Sequence, residues 1–226
     1  MTIPGAFRLP FLCAVLGTCL LPAADFSSYR GFQFGMNLTQ AAEQAGMRPS
    51  DAKLEYQRPV MIQLLDFQPN LFHSAVAKDD PVSEITLSFS DGELFRMAVL
   101  YDRYKVEGMT TEDMIQALSK TYGTASTPTG EIAYHSYYAE TAPVVARWED
   151  SKYSYNLIRA EDRSTFAMVL YSKALDAKAQ TAMIEAARLD TLEAPQKEAD
   201  RVKKQAEENQ MEEEKARLAN KASFRP

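Results

Sequence analysis

"GMTTEDMIQALSKTYG", residues 108–123, has a shorter counterpart earlier in the chain, "GMNLTQAAEQAG", residues 35–46. Each opens on Gly-Met, continues with a residue able to cap a helix (Thr110 or Asn37), and places Asp113 or Gln40 three positions further on. That is capping-box spacing: the cap side chain takes one orphan backbone N–H of the first turn, and the later side chain reaches back to the cap's own N–H. Gly123 and Gly46 supply the stop signals. Met114, Ile115 and Leu118 fall at helical spacing and predict one buried stripe; Leu38, Ala41, Ala42 and Ala45 predict the same with smaller side chains. The expectation is a first helix of about three turns and a second one slightly longer.

Strand-like sequence follows each helix. "KLEYQRPVMIQLLDF" (53–67) reads as extended but interrupted at Pro59, which suits an edge or a bend. "SEITLSFSDGELFRMAVLYD" (83–102) predicts a hairpin turning at Asp91-Gly92, with Ile85, Leu87 and Phe89 alternating on one arm and Phe95, Met97, Val99 and Tyr101 on the other. In the second half "EIAYHSYY" (131–138), "PVVARWE" (143–149), "YSYNLIRA" (153–160) and "TFAMVLYS" (165–172) give four strands, with turns at Asp150-Ser151 and Glu161-Asp162. The Gly-Met pairs stand 73 residues apart and the turns at Asp91 and Asp150 only 59 apart. Two degenerate repeats, about 35–105 and 108–172, account for this if residues 68–82 are an insertion in the first. The fold class expected is α+β, with two tandem helix-plus-antiparallel-sheet units forming a domain over 25–173.

The ends of the chain have a different character. Residues 1–24 carry one basic residue, Arg8, then an apolar run from Leu9 to Leu21, then small residues before Asp25, which reads as a secretory signal peptide. The rival is a membrane anchor, but the run is shorter than the roughly 20 residues a spanning helix needs. Both cysteines, Cys13 and Cys19, lie in this segment, so disulfides and thiol chemistry are not expected in the rest. Cys19 as a lipid attachment site is the lesser alternative, because Thr18 and the residues after Cys19 fit that signal poorly. The expected location is therefore periplasmic or secreted, with no membrane span after cleavage. At the other end, Leu175, Ala179, Ala182, Ala186 and Leu189 predict a helix over 174–192 that docks on the domain through one seam. Residues 193–226 become charged, nine acids against eight bases counted from Asp190 on, with Pro195 as a break. The seam runs on through Ala199, Val202 and Ala206 and then meets Asn209 and Glu213, so a solvated helical tail is expected, without a sustained coiled coil.

Composition narrows the function classes. A net charge of -6 with no basic run argues against nucleic acid as a partner. Nothing matches a phosphate-binding loop, a dinucleotide fingerprint or a Gly-x-Ser-x-Gly elbow, and no cofactor is expected. His73 and His135 stand far apart. His73 with Asp79 and Asp80 is the one conceivable metal set, and a solvated acidic loop is the simpler reading, so no metal is expected. Glu112 with Asp113 and Glu161 with Asp162 read as a helix first turn and a hairpin turn, and no catalytic residue is assigned. The most suggestive group is aromatic: Tyr134, Tyr137, Tyr138 and Trp148, with Tyr153 and Tyr155. Strand alternation sends such rings either under the helices or onto an exposed platform suited to a protein partner or a sugar. Phe72 and His73, in the insertion, complete the candidate binding residues.

The repeated Gly-Met-Thr-x-x-Glu-like opening resembles the SmpA/OmlA-type small outer-membrane lipoproteins of the barrel assembly machinery. Its tandem arrangement over about 35–172 is similar to the β-lactamase inhibitor protein fold. The resemblance implies two helix-plus-sheet units and a role in binding proteins in or beyond the cell envelope. The sequence reading is thus an exported, non-catalytic binding protein that recognises a protein or envelope component through its sheet face, the 68–82 segment or the tail. The alternatives are an envelope hydrolase or saccharide-binding protein using carboxylates near Trp148, and a structural envelope protein whose tail acts as a spacer.

Overall fold

The computed structural model describes residues 24–69, 80–133, 141–159, 165–223 and 225. After a two-stranded hairpin, β1 (Ser28–Tyr29) and β2 (Phe32–Gln33), the chain forms α1 (Leu38–Gln44) and four strands, β3 (Lys53–Tyr56), β4 (Ile62–Phe67), β5 (Val82–Ser90) and β6 (Glu93–Tyr101). Then come α2 (Thr111–Tyr122) and four more strands, β7 (Glu131–Ala133), β8 (Thr141–Glu149), β9 (Tyr153–Arg159) and β10 (Phe166–Ser172). Helix α3 (Lys173–Ser223) ends the chain. All eight strands from β3 on lie in one antiparallel sheet of order β3-β4-β5-β6-β10-β9-β8-β7. The molecule is α+β.

Both short helices start as their sequences require. Asn37 accepts the Gln40 N–H (2.9 Å) and Thr110 accepts the Asp113 N–H (3.1 Å), and each capping box closes in return. Gly35 and Gly108 hold φ of 86° and 77°, a region costly to residues with a Cβ, so the Gly-Met openings are backbone requirements. Helix α1 leaves through a Schellman pair, with the Met47 N–H on the Ala42 carbonyl (2.8 Å) and the Gly46 N–H on Glu43 (3.1 Å). It has seven residues, about two turns rather than the three expected, because this exit begins directly after Gln44.

One face of the sheet packs against α1, α2 and the N-terminal hairpin. Ile85, Leu87, Phe89, Met97 and Val99 are fully buried in that core. Phe95 departs from the expected alternation. The β5–β6 register shifts between Ser88 and Phe89, so Leu94 takes the inward place and Phe95 points to the opposite face, against Ile62, Ala179 and Met183. That opposite face is where α3 docks, through Ala179, Met183 and Ala186, with Leu175, Ala182 and Leu189 half-buried beside them. The predicted seam is therefore the docking side.

A buried ion pair locks this helix in place. Arg96 donates to both carboxylate oxygens of Asp176 (2.7 and 2.9 Å) and, through its remaining nitrogen, to the Ala133 carbonyl (3.0 Å). Breaking such a pair by removing one partner costs about 3–5 kcal/mol, because the other charge is left uncompensated. Pro195 does not end the helix: α3 runs through it for 51 residues, about 75 Å at 1.5 Å per residue. Lys197 reaches back across Pro195 to Asp190 (3.0 Å) and Glu193 (3.4 Å), and Glu193 also pairs with Arg58 on the body, so ionic contacts bridge the turn where the proline lacks a donor.

The turns compared in the sequence are not equivalent. Asp91 lies between the third and fourth strands after α1, whereas Asp150 lies between the second and third after α2. The 59-residue spacing therefore compares turns at different places in the strand order. The helices begin 73 residues apart, at Leu38 and Thr111, and β6 and β10 also begin 73 apart, at Glu93 and Phe166.

Candidate functional site

Trp148 lies in the core, 1% exposed, with its indole N–H donating to the Gly123 carbonyl (3.0 Å) and the Ser119 hydroxyl (3.2 Å) of α2. Tyr155 is equally buried; its hydroxyl donates to the Ser28 carbonyl (2.7 Å), and its ring meets Phe26 and Tyr122 edge-on at 5.1 Å. The alternation of β8 and β9 turns these rings under α2, so Trp148 is not available as a surface binding residue. Tyr134, Tyr137, Tyr138 and His135, and Phe72 and His73, fall outside the described residues. Asp80, considered above with His73 as a metal ligand, accepts two hydrogen bonds from Arg30 (2.5 and 2.8 Å). Among the described residues no group of three His, Cys, Asp or Glu side chains could hold a metal ion.

The same aromatic packing leaves an opening beside it. The N-terminal hairpin turns through Arg30, held at φ 51°, and Gly31. Two contacts fix this turn: the Arg30–Asp80 pair, and a hydrogen bond from the Gln44 amide of α1 to the Arg30 carbonyl (3.2 Å). Across from it α2 presents Met114, Ala117, Leu118, Thr121 and Tyr122, and the loop after β6 adds Lys105, Val106 and Met109. Between them runs a cleft of about 620 Å³, with Tyr29 and Tyr101 in its wall and Asp25 at its edge. This volume lies within the range of small-molecule and side-chain-accepting pockets.

The chemistry of the cleft is apolar with a few polar groups. Burial pushes the hydroxyls of Tyr29 and Tyr101 upward, and that of Tyr122 up to about 12, with the neighbouring Tyr29 adding to the effect and Arg30 opposing it. All three phenols are therefore neutral near pH 7, able to give and accept hydrogen bonds without carrying charge. Tyr101 already donates to the Met168 sulfur (3.2 Å). Arg30 holds the Asp80 carboxyl below its usual range, which keeps that pair ionised at the rim. The arrangement suits an apolar or aromatic group with a polar margin.

The sequence held a signal for part of this site. "SYRGFQ" places a two-residue turn between Tyr29 and Phe32, which is hairpin spacing. Arg96 among the apolar residues of β6 likewise marked a buried charge in need of a partner. The contribution of Met114, Tyr122 and Tyr101 to one wall had no local signal. No described helix is long and apolar enough to cross a membrane. Comparison with known proteins returned no matching family model, curated protein or solved structure.

Proposed function

We propose that this chain is an exported protein that acts by binding a protein or another component of the cell envelope, and that the cleft between the N-terminal hairpin and α2 receives the group it recognises. The observation that carries this reading is the cleft itself: apolar walls, neutral phenols and a rim pinned by Arg30–Asp80. The apolar segment before Asp25 supports export. The sheet face, offered above as a binding surface, contributes less, since its side chains are covered on one side by the short helices, while on the other α3 covers Ile62 and Phe95 and a separate cluster of Ala142, Val144, Ile158, Ala167 and Val169 is also buried.

The body is read as two copies of one unit, α1 with β3 to β6 and α2 with β7 to β10. Two facts support this. Helix starts and last-strand starts share the 73-residue offset, and within the β6–β10 pairing Met97 lies opposite Leu170, two residues that are themselves 73 apart. A strand paired antiparallel with its own copy has its local twofold axis at such a pair.

A photoreactive residue placed at Ala117, inside the cleft, is expected to crosslink an envelope component, while the same residue at Gln116, on the outer side of α2, is not. Equal products from both positions, or none from Ala117 when a control binder crosslinks, would remove the cleft from the proposal.

A further inference from the structure

The outer part of α3 changes its electrostatic pattern near residue 207. Up to that point the helix pairs its charges internally at helical spacing: Arg188 with Glu185, Arg201 with Glu198, Lys203 with Glu207 and Lys204 with Glu208. Beyond it the charges separate into blocks. Residues 207–214 hold five acids and no base, and residues 215–225 hold four bases and no acid. Within these blocks Arg217 pairs with Glu214 (2.5 Å), and Glu207 and Glu208 at the inner edge meet Lys203 and Lys204 (3.9 and 3.8 Å); among the described residues Glu212, Glu213, Lys215 and Lys221 make no ion pair.

On this same stretch Met211 and Leu218 stand 65% and 55% exposed, seven residues apart and so on one side of the helix. A shallow, open apolar patch joins them, bordered by Glu207, Gln210, Glu214 and Lys215. It lies on a different face from the Ala199–Val202–Ala206 seam.

We propose that this segment is a self-association site, in which residues of about 204–225 from two copies of the chain pair antiparallel. Charge complementarity selects both the partner and the direction. Antiparallel overlap centred near residue 214 sets the acidic block of each copy beside the basic block of the other, twice over, and brings Met211 of one copy near Leu218 of the second. Parallel, in-register pairing would set acid on acid and base on base, which is repulsive. The overlap is short, about 30 Å at 1.5 Å per residue, and has few apolar side chains. The dimer is therefore weak and depends on salt, because its charges are solvent-exposed and screened within a Debye length of about 10 Å at 0.1 M. The pairing would present two bodies at the far ends of a rod, each with its own cleft, and so raise the effective affinity for a repeated target.

The test is sedimentation of the purified chain, expressed with its own N-terminal segment, over concentration and salt. The wild-type chain is expected to dimerise at high micromolar concentration in 50 mM salt, and at least tenfold more weakly in 500 mM. Two charge-reversed variants, E207K/E208K/E212K/E213K/E214K and K215E/R217E/K221E/R225E, are each expected to be monomeric. Mixed one to one, they are expected to recover dimer. M211A/L218A, which keeps every charge and the helix, is expected to weaken pairing about tenfold. A chain that stays monomeric to 1 mM in low salt, a dimer that strengthens with salt, variants that dimerise as tightly as wild type, or a mixture that shows no recovery, with helix content unchanged by circular dichroism, would each overturn the proposal.

Discussion

Helices α1 and α2 begin with the same chemistry and end in different relationships to the sheet. Each is entered through Gly-Met with the glycine at positive φ, and each closes a capping box. Yet α1 buries Ala41, Ala42 and its C-cap Ala45 completely, and its entry is bonded to the β5–β6 hairpin, with Gly35 N–H on the Leu94 carbonyl (2.8 Å) and Leu38 N–H on the Gly92 carbonyl (3.0 Å). Helix α2 buries only Met114, and meets the sheet through Trp148 and the ring of Tyr122. Local signals decide that a helix forms. The side chains beneath decide how each is covered. Alanines fill the buried side of α1 completely, whereas α2 meets the core through Met114 and the partly buried Ile115, Leu118 and Tyr122, and one side of it lines the cleft.

The contrast can be broken most severely at Trp148. Its replacement by alanine removes a buried indole and both hydrogen bonds that hold the end of α2, so a loss of about 3–5 kcal/mol is expected from denaturant unfolding. A loss under about 1 kcal/mol would mean that α2 is not held by this residue. Next in size is a matched pair of enlargements. Ala42→Leu forces extra volume beneath α1 and is expected to cost about 1–3 kcal/mol, whereas Ala117→Leu only fills part of the cleft and is expected to stay within about 0.5 kcal/mol of wild type. Equal costs in thermal melts would dissolve the distinction between a fully buried helix side and one that lines a cleft.

The smallest effect separates the two caps by pH. In α2 the cap partner is Asp113, whose carboxyl is held below its usual value of 3.8, first by the Thr110 backbone N–H and then by the Thr110 hydroxyl. Because the folded-state value is the lower one, the stabilisation is complete above about 3.8 and fades as the pH falls below it, through the folded-state value. Helix α1 uses Gln40 at that position, which does not titrate. Asp113→Asn is therefore expected to flatten part of the fall in melting temperature between pH 4 and pH 2, and Gln40→Ala to leave its slope unchanged. The opposite pattern would show that acid acts elsewhere.

What was legible beforehand was what neighbouring residues settle among themselves. Capping at Asn37 and Thr110, the Asp91-Gly92 turn, the bend at Pro59 and the α3 seam are all short-range arrangements, fixed by φ preferences, hydrogen-bond reach and helical period. The strands of the second half could be read for the same reason. The aromatic group was legible only as a choice of two faces, since a period of two says that rings alternate and not which side is covered.

Sequence alone thus determined the elements, their caps and their order, because each rests on contacts within a few residues. Tertiary structure decided the rest. It paired β6 with β10 at the centre of one sheet, turned Trp148 and Tyr155 inward, shifted Phe95 across a bulge and joined Arg96 to Asp176 eighty residues away. It also carried α3 through Pro195 and opened a cleft where α2 stands off from the hairpin. These depend on which surfaces meet and how much volume lies between them, and local sequence patterns do not encode either.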